Sequence, residues 1–256
     1  MPCDNNGKDK VILEIEGDNE GIFVERPNRF ISIVEINGQK EYAHVHDPGR
    51  LRELLYPGNE VLLKKYEGGI RKTKWEILAA KKDSKWIFVN SKFHRQISEI
   101  ILKNERLSPI GVIEDLHPEV KVGKSRIDFL AIRDGKKVWI EIKGCTLERN
   151  GVALFPDAPT ERGKRHVEEL LNMKKMGDDA VIIFLIFVNA SCFRPNYETD
   201  EKFSRALYKA MEHGVSVYPL LLNYDGRAIK FEKPLQLCRE QEIETENEGD
   251  HSKNYN

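Results

Sequence analysis

The 256-residue chain contains no apolar run approaching the roughly 20 residues that span a bilayer, so no membrane-crossing segment is expected. Its first residues, Met1-Pro2-Cys3-Asp4-Asn5-Asn6, lack the basic-then-apolar pattern of a secretory signal, and a cytoplasmic protein is expected. Cysteine is scarce: Cys3, Cys145, Cys192 and Cys238 lie far apart and form no CxxC pair. That spacing argues against a zinc ribbon or a disulfide framework and predicts buried or idle thiols in a reducing compartment. The histidines are not spaced as a ligand set; His44 and His46 share a strand face without an evident third partner. There is no internal repeat.

The small net charge of −1 conceals an uneven distribution. Residues 239–256 carry six acids against Arg239 and Lys253 and almost no apolar side chains, which predicts a disordered acidic tail. Residues 61–95 hold ten Lys and Arg against Glu67, Glu76 and Asp83. Such a surplus suits a polyanion, although it equally suits a solvated face. Within it, Arg71-Lys72-Thr73-Lys74-Trp75 interleaves cations with a ring, a pattern that can neutralise phosphates and stack an unpaired base. Trp75 fits a barrel core as well.

Residues 11–85 read as short strands divided by turns. Asn37-Gly38 predicts a hairpin joining 30–36 to 39–45, and further strands are expected at 60–65 and 75–82. Asp47 as N-cap with Pro48 behind it predicts a short helix that turns Leu51, Leu54 and Leu55 to the core before Pro57-Gly58 stops it. About five strands with one helical insertion fit a small oligonucleotide-binding (OB) Greek-key barrel. From Phe93 the period becomes helical, with Ile97, Ile100 and Ile101 on one stripe and Asn90 or Ser91 as cap. Helices are also expected over 162–176 and near 200–213, with strands near 119–122, at 180–188 and at 215–222; the second of these is apolar enough to be covered on both faces. The expected fold is therefore α/β (α+β): an OB-like barrel over 1–85, a three-layered mixed-sheet domain over 86–238, and the tail over 239–256.

The most informative segment is 126–143. Arg126-Ile127-Asp128-Phe129-Leu130-Ala131-Ile132 and Lys136-Lys137-Val138-Trp139-Ile140-Glu141-Ile142-Lys143 flank Arg133-Asp134-Gly135. An Asp-Gly turn between β-branched runs predicts a two-residue hairpin, because its type I′ geometry needs positive φ at both positions. With Asp134 and Gly135 as the turn, Asp128 lies opposite Glu141, and Lys143 shares the face of Glu141 opposite Arg126. Two carboxylates with Cβ atoms about 4.5–5.5 Å apart repel unless a cation intervenes. The set suits Mg²⁺ or Mn²⁺ held by Asp128 and Glu141, with Lys143 stabilising charge on a phosphodiester. An ion-paired ladder through Lys143 or Arg126 would also answer the repulsion.

Five segments carry a family resemblance: Arg26-Pro27-Asn28-Arg29-Phe30, Gly49-Arg50-Leu51, Ser125-Arg126-Ile127-Asp128-Phe129, Glu141-Ile142-Lys143 and Ala153-Leu154-Phe155-Pro156-Asp157-Ala158-Pro159-Thr160-Glu161-Arg162-Gly163. Together they resemble the sugar fermentation stimulation protein (SfsA) family across about 24–222. The resemblance implies an N-terminal OB-like domain and a C-terminal PD-(D/E)xK nuclease-like domain, DNA binding, and a link to regulation of sugar (maltose) utilisation. It maps the metal-binding Asp and Glu and the lysine of the nuclease motif onto Asp128, Glu141 and Lys143. His46-Asp47-Pro48 departs from the polar tripeptide of many members. Such folds often add an upstream acid, for which Glu119, beside the hairpin, and Glu99, on a helix face, are candidates; Glu119 is the better placed. Arg162 and His166, four apart on a helix, Arg126 beside the carboxylates, and Arg29 and Arg50 in the family-like segments join Arg71, Lys72 and Lys74 as candidate nucleic-acid contacts. Three readings stand side by side: a Mg²⁺-dependent DNA endonuclease or exonuclease, a non-catalytic DNA-binding regulator, and a scaffold with an ion-pair ladder. A homodimer is compatible with each.

Overall fold

The computed structural model describes residues 10–66, 73–123 and 125–238. The predicted contacts Arg71 and Lys72 and the acidic tail lie outside the described residues. The first half forms β1 (Val11–Glu14), β2 (Asn19–Asn28), β3 (Ile31–Ile36), β4 (Gln39–His44), β5 (Glu60–Lys65), β6 (Trp75–Lys82) and β7 (Lys85–Phe88). A helix α1 (His94–Lys103) leads to β8 (Asp115–Val122), β9 (Ser125–Arg133) and β10 (Lys136–Cys145), then to β11 (Leu147–Arg149) and β12 (Val152–Phe155). The remainder is α2 (Glu161–Lys175), β13 (Asp179–Ile186), β14 (Cys192–Pro195), α3 (Glu201–Glu212), β15 (Ser216–Tyr224), β16 (Ala228–Pro234) and β17 (Gln236–Leu237).

The barrel closes through five strands. β2 pairs with β3, β3 with β4, β4 runs parallel to β6, and β6 returns through β5 to β2. That ring is the OB arrangement, and Asn37-Gly38 makes the β3–β4 turn with positive φ at both residues. β1 does not join it: it pairs with β16 at the far end of the chain. The helix expected after Asp47 is absent. Leu51 takes a left-handed φ of 49°, which no right-handed helix accommodates, and Asp47 Oδ1 accepts from the Gly49 amide (2.7 Å) in a tight turn. Leu51, Leu54 and Leu55 are nevertheless buried, so the apolar spacing identified core residues without identifying their backbone.

The second domain is a mixed sheet in the order β7-β15-β13-β10-β9-β8, with β10, β13 and β15 parallel. β7 pairs with β6 of the barrel and with β15, so one sheet runs through both domains. Every residue of β13 from Ala180 to Ile186 is buried, as its unbroken apolar run requires between two helical layers. Alternation along β10 sends Glu141 toward α2 and Ile140, Ile142 and Gly144 toward α1. Thr160 and Asp200 cap α2 and α3 by accepting the amides of Gly163 and Phe203. Strands β11, β12, β14 and β17 make a small second sheet. There Cys192 and Cys238 form a disulfide, contrary to the idle thiols expected; the two cysteines are 46 residues apart in sequence, and the pairing of β14 with β17 brings them together, which spacing along the chain does not reveal. Cys145 is a buried free thiol that burial pushes up to about 12. No helix among the described residues is long and apolar enough to cross a membrane.

The imidazole of His94 stacks on Phe187 (5.7 Å between centroids) above Gly144, where a Cβ would lie 2.2 Å from Cε1. Its surroundings pull its pKa down to about 4, chiefly by burial. The unfolded chain therefore binds the proton first, and stability is lost as pH falls from 6.5 toward 4. Urea unfolding should show a loss on the order of 2 kcal/mol across that window, less than the full shift because the ring keeps some contact with water, and His94→Phe should flatten the profile.

Candidate active site

The hairpin forms with the expected register. Asp134 (φ 51°) and Gly135 (φ 68°) make the turn, and the pairs run from Arg133–Lys136 to Phe129–Ile140. The next step would set Asp128 opposite Glu141. Here a side chain takes over: Asp128 Oδ2 accepts the amide of Ile142 at 2.7 Å, while on its other edge β10 stays paired with β13, Glu141 opposite Ile182.

Glu141 is 2% exposed. Its Oε1 accepts the Lys143 ammonium at 2.5 Å and is bonded to Nδ1 of His166, which is equally buried. Its Oε2 is buried without a hydrogen-bond partner. Burial pushes this carboxyl up, but Lys143 and His166 together outweigh it and hold the group below the ordinary range. Asp128 moves the other way, up to about 6, first through burial and then through the charge of Glu141. The opposed shifts follow from unequal partners: Lys143 and His166 act on Glu141, whereas burial and the Glu141 charge act on Asp128.

His166 was expected to touch phosphate from a helix surface. Instead it lies beneath α2 against Glu141, because the α2 stripe that buries Val167, Leu170 and Leu171 also turns His166 inward. Arg162 Nε lies 3.5 Å from His166 Nε2, on the side of the ring away from Glu141, and Nδ1 meets the Glu141 carboxylate. The signal was the four-residue spacing, read for the wrong face. Glu119 also departs from expectation. Register sets it across from Asp128, between the pairs Pro118–Phe129 and Val120–Ile127, but at a left-handed φ of 55°. Its exposed carboxylate is engaged by Arg95 (3.3 Å) and Arg126 (3.1 Å). Among the described residues no three His, Cys, Asp or Glu side chains converge as a ready metal cage, so the three-carboxylate set of Asp128, Glu141 and Glu119 is not assembled. Glu99 pairs with Lys103 on α1 (2.6 Å).

The barrel brings the turn at 47–51 against the loop before α2. One guanidinium, Arg26, donates to the carbonyls of Arg29 (2.6 Å), Gly49 (2.7 Å) and Asp47 (2.8 Å), and Asp157 Oδ2 accepts the amide of Leu51 (3.2 Å). Sequence reasoning gave Arg26, Asp47 and Asp157 no role at this junction, although Arg26 and Asp157 stand within the family-like segments. Arg29, Arg50 and Lys74 are exposed, with the Arg29 guanidinium 4.7 Å over the Phe30 ring.

Comparison with known proteins accounts for this architecture. A model described as the SfsA N-terminal OB domain matches residues 24–89, and one described as the sugar fermentation stimulation protein RE domain matches residues 92–228. The chain belongs to the sugar fermentation stimulation protein family. A homologue from Thermosipho melanesiensis is 46% identical over 226 residues, covering 88% of this chain and 97% of that one. One from Methanococcoides burtonii is 42% identical, covering 91% and 98%. A solved structure described as Pyrococcus furiosus SfsA in complex with Ca²⁺ superposes with a TM-score of 0.83 at 29% identity, covering 90% of this chain and 99% of that chain.

Removing the Lys143 ammonium leaves Glu141 buried with one partner fewer. Lys143→Ala should raise the Glu141 carboxyl and destabilise the fold by about 3 kcal/mol, measured by chemical denaturation. Glu141→Gln should bring Asp128 down from about 6 toward the ordinary range, which carboxyl-carbon NMR titration reads directly.

Proposed function

We propose that this SfsA-family protein binds DNA and hydrolyses phosphodiester bonds at Asp128, Glu141 and Lys143 with the help of Mg²⁺ or Mn²⁺. The observation that carries the reading is the Asp128 carboxyl beside the charge of Glu141, whose buried Oε2 has no partner. A buried carboxylate oxygen without a partner costs free energy unless water or a cation fills the place. The donor set, two neighbouring carboxylates of which one oxygen lacks a partner, suits a hard divalent ion, so the residues fit such a group. The Pyrococcus relative described with Ca²⁺ adds support, since that ion shares the preference for oxygen ligands.

Asp128 and Glu141 would hold the ion, which when bound polarises the phosphate and acidifies a water. His166 fixes the Glu141 carboxylate through Oε1, which leaves Oε2 as the free donor atom. Lys143 donates to Oε1 as well and can balance negative charge that develops on the phosphate. Exposed cations at Arg50, Lys74 and Arg126 would meet the DNA backbone. A second reading, a DNA-binding regulator of sugar (maltose) utilisation without turnover, draws on one observation: Lys143 and His166 already engage Glu141, so the site is partly neutralised without an ion.

Labelled single-stranded, duplex and nicked DNA incubated with the protein and Mg²⁺ or Mn²⁺ separates the two. Cleavage should fall at least about 100-fold in Asp128→Asn and Lys143→Ala. DNA retention with no cleavage of any substrate would leave the regulator. Because the Asp128 carboxyl is held up to about 6, an ion must displace its proton below that pH. Mn²⁺ affinity should therefore weaken as pH falls from 7 to 5, with proton release seen by calorimetry in two buffers; a flat profile would rule out Asp128 as a ligand.

A further inference from the structure

The barrel and the mixed-sheet domain meet along a cleft of about 450 Å³ between the 47–49 turn and the loop that enters α2. Asp128 and Glu141 do not line it, yet it adjoins them. Gly144 in its wall follows Lys143, and Arg162 in its wall bonds to His166, the partner of Glu141.

The lining has three kinds of chemistry. Arg29 arrives from the barrel and Arg162 from the first turn of α2, both exposed. Phe155 and Pro156 supply apolar surface. Asp47, Asp157 and Glu161 supply carboxylates, of which Asp47 is held up to about 6 mainly by burial. The walls are also built to stay in place. The Arg26 guanidinium ties the backbone of Arg29 to that of Asp47, and Asp157 ties the α2 loop to the Leu51 amide.

A free inorganic phosphate would meet the three carboxylates and be repelled, and a purely apolar ligand would leave the arginines unused. One nucleotide matches all three: a phosphate for the arginines, a base and sugar for the apolar wall, and an exocyclic amine for the carboxylates. The volume lies within the range of about 300–1,000 Å³ usual for small-molecule sites. We propose that this interdomain cleft is a subsite for one unpaired nucleotide of the substrate strand, with Arg29 and Arg162 on its phosphate. The proposal rests on the reading of the protein as a DNA-binding phosphodiesterase and narrows its substrate. A base inside a duplex is stacked and paired, so a strand enters only where it is single or extruded.

Fluorescence anisotropy with a labelled oligodeoxyadenylate and with its duplex, in Ca²⁺ and across a salt series, tests this. The single strand should bind more tightly than the duplex. Arg29→Ala and Arg162→Ala should each weaken single-strand binding by about tenfold, and each should lower the salt slope by about one. Ala158→Trp, which fills the cleft without changing charge, should weaken binding with the slope retained. Unchanged single-strand affinity in both arginine variants, or equal binding of duplex and single strand, overturns the subsite. Cleavage of DNA by wild type and by both arginine variants at equal rates removes the subsite and keeps the phosphodiesterase. Absence of any DNA binding by wild type removes both.

Discussion

Glu141 is the group on which the rest of the site depends. A carboxylate with 2% exposure in the middle of a sheet is tolerated only where its charge is answered, since an uncompensated buried ion costs several kcal/mol. Two side chains answer it: β10 supplies Lys143 two residues on, and α2 supplies His166 from above, while Asp128 of β9 holds the next amide. The same packing that buries Val167, Leu170 and Leu171 against the sheet carries His166 to the carboxylate. Core formation and site formation are one event here, and loosening α2 would expose both.

Repulsion gives the site its polarity. Lys143 and His166 act on Glu141 and hold it in the charged form, while Asp128, partly buried and beside that charge, is pushed toward protonation near neutral pH. Two similar side chains thereby acquire different proton affinities from their surroundings. The barrel contributes from outside. It shares β7 with the mixed sheet, and through Arg26 and Asp157 it locks a loop against the entrance of α2.

Much of this was legible in the order of residues. The Asn37-Gly38 and Asp134-Gly135 turns, the strands at 60–65 and 75–82, the fully apolar β13 and all three helices were read from local signals and stand where expected. The register that carries Asp128 toward Glu141 followed from turn geometry alone, because a two-residue loop leaves one register, although the ladder itself ends at Phe129–Ile140. What escaped was set by distant partners. The helix after Asp47 yielded to a turn fastened by Arg26 and Asp157, which lie 21 residues before and 110 residues after it. Glu119 turned to two arginines on other elements, β1 crossed to β16, and Cys192 met Cys238 through a strand of two residues.

By itself, then, the sequence determined the elements, the hairpin register and the residues that could carry chemistry, because periodicity and turn propensity act over a few residues. Tertiary structure decided which face of α2 met the sheet and so gave His166 to Glu141 rather than to solvent. It also decided that Glu119 went to Arg95 and Arg126, and that two domains should enclose a cleft beside the carboxylates. Those outcomes depend on burial and charge pairing between segments far apart in the chain, and no local pattern encodes them.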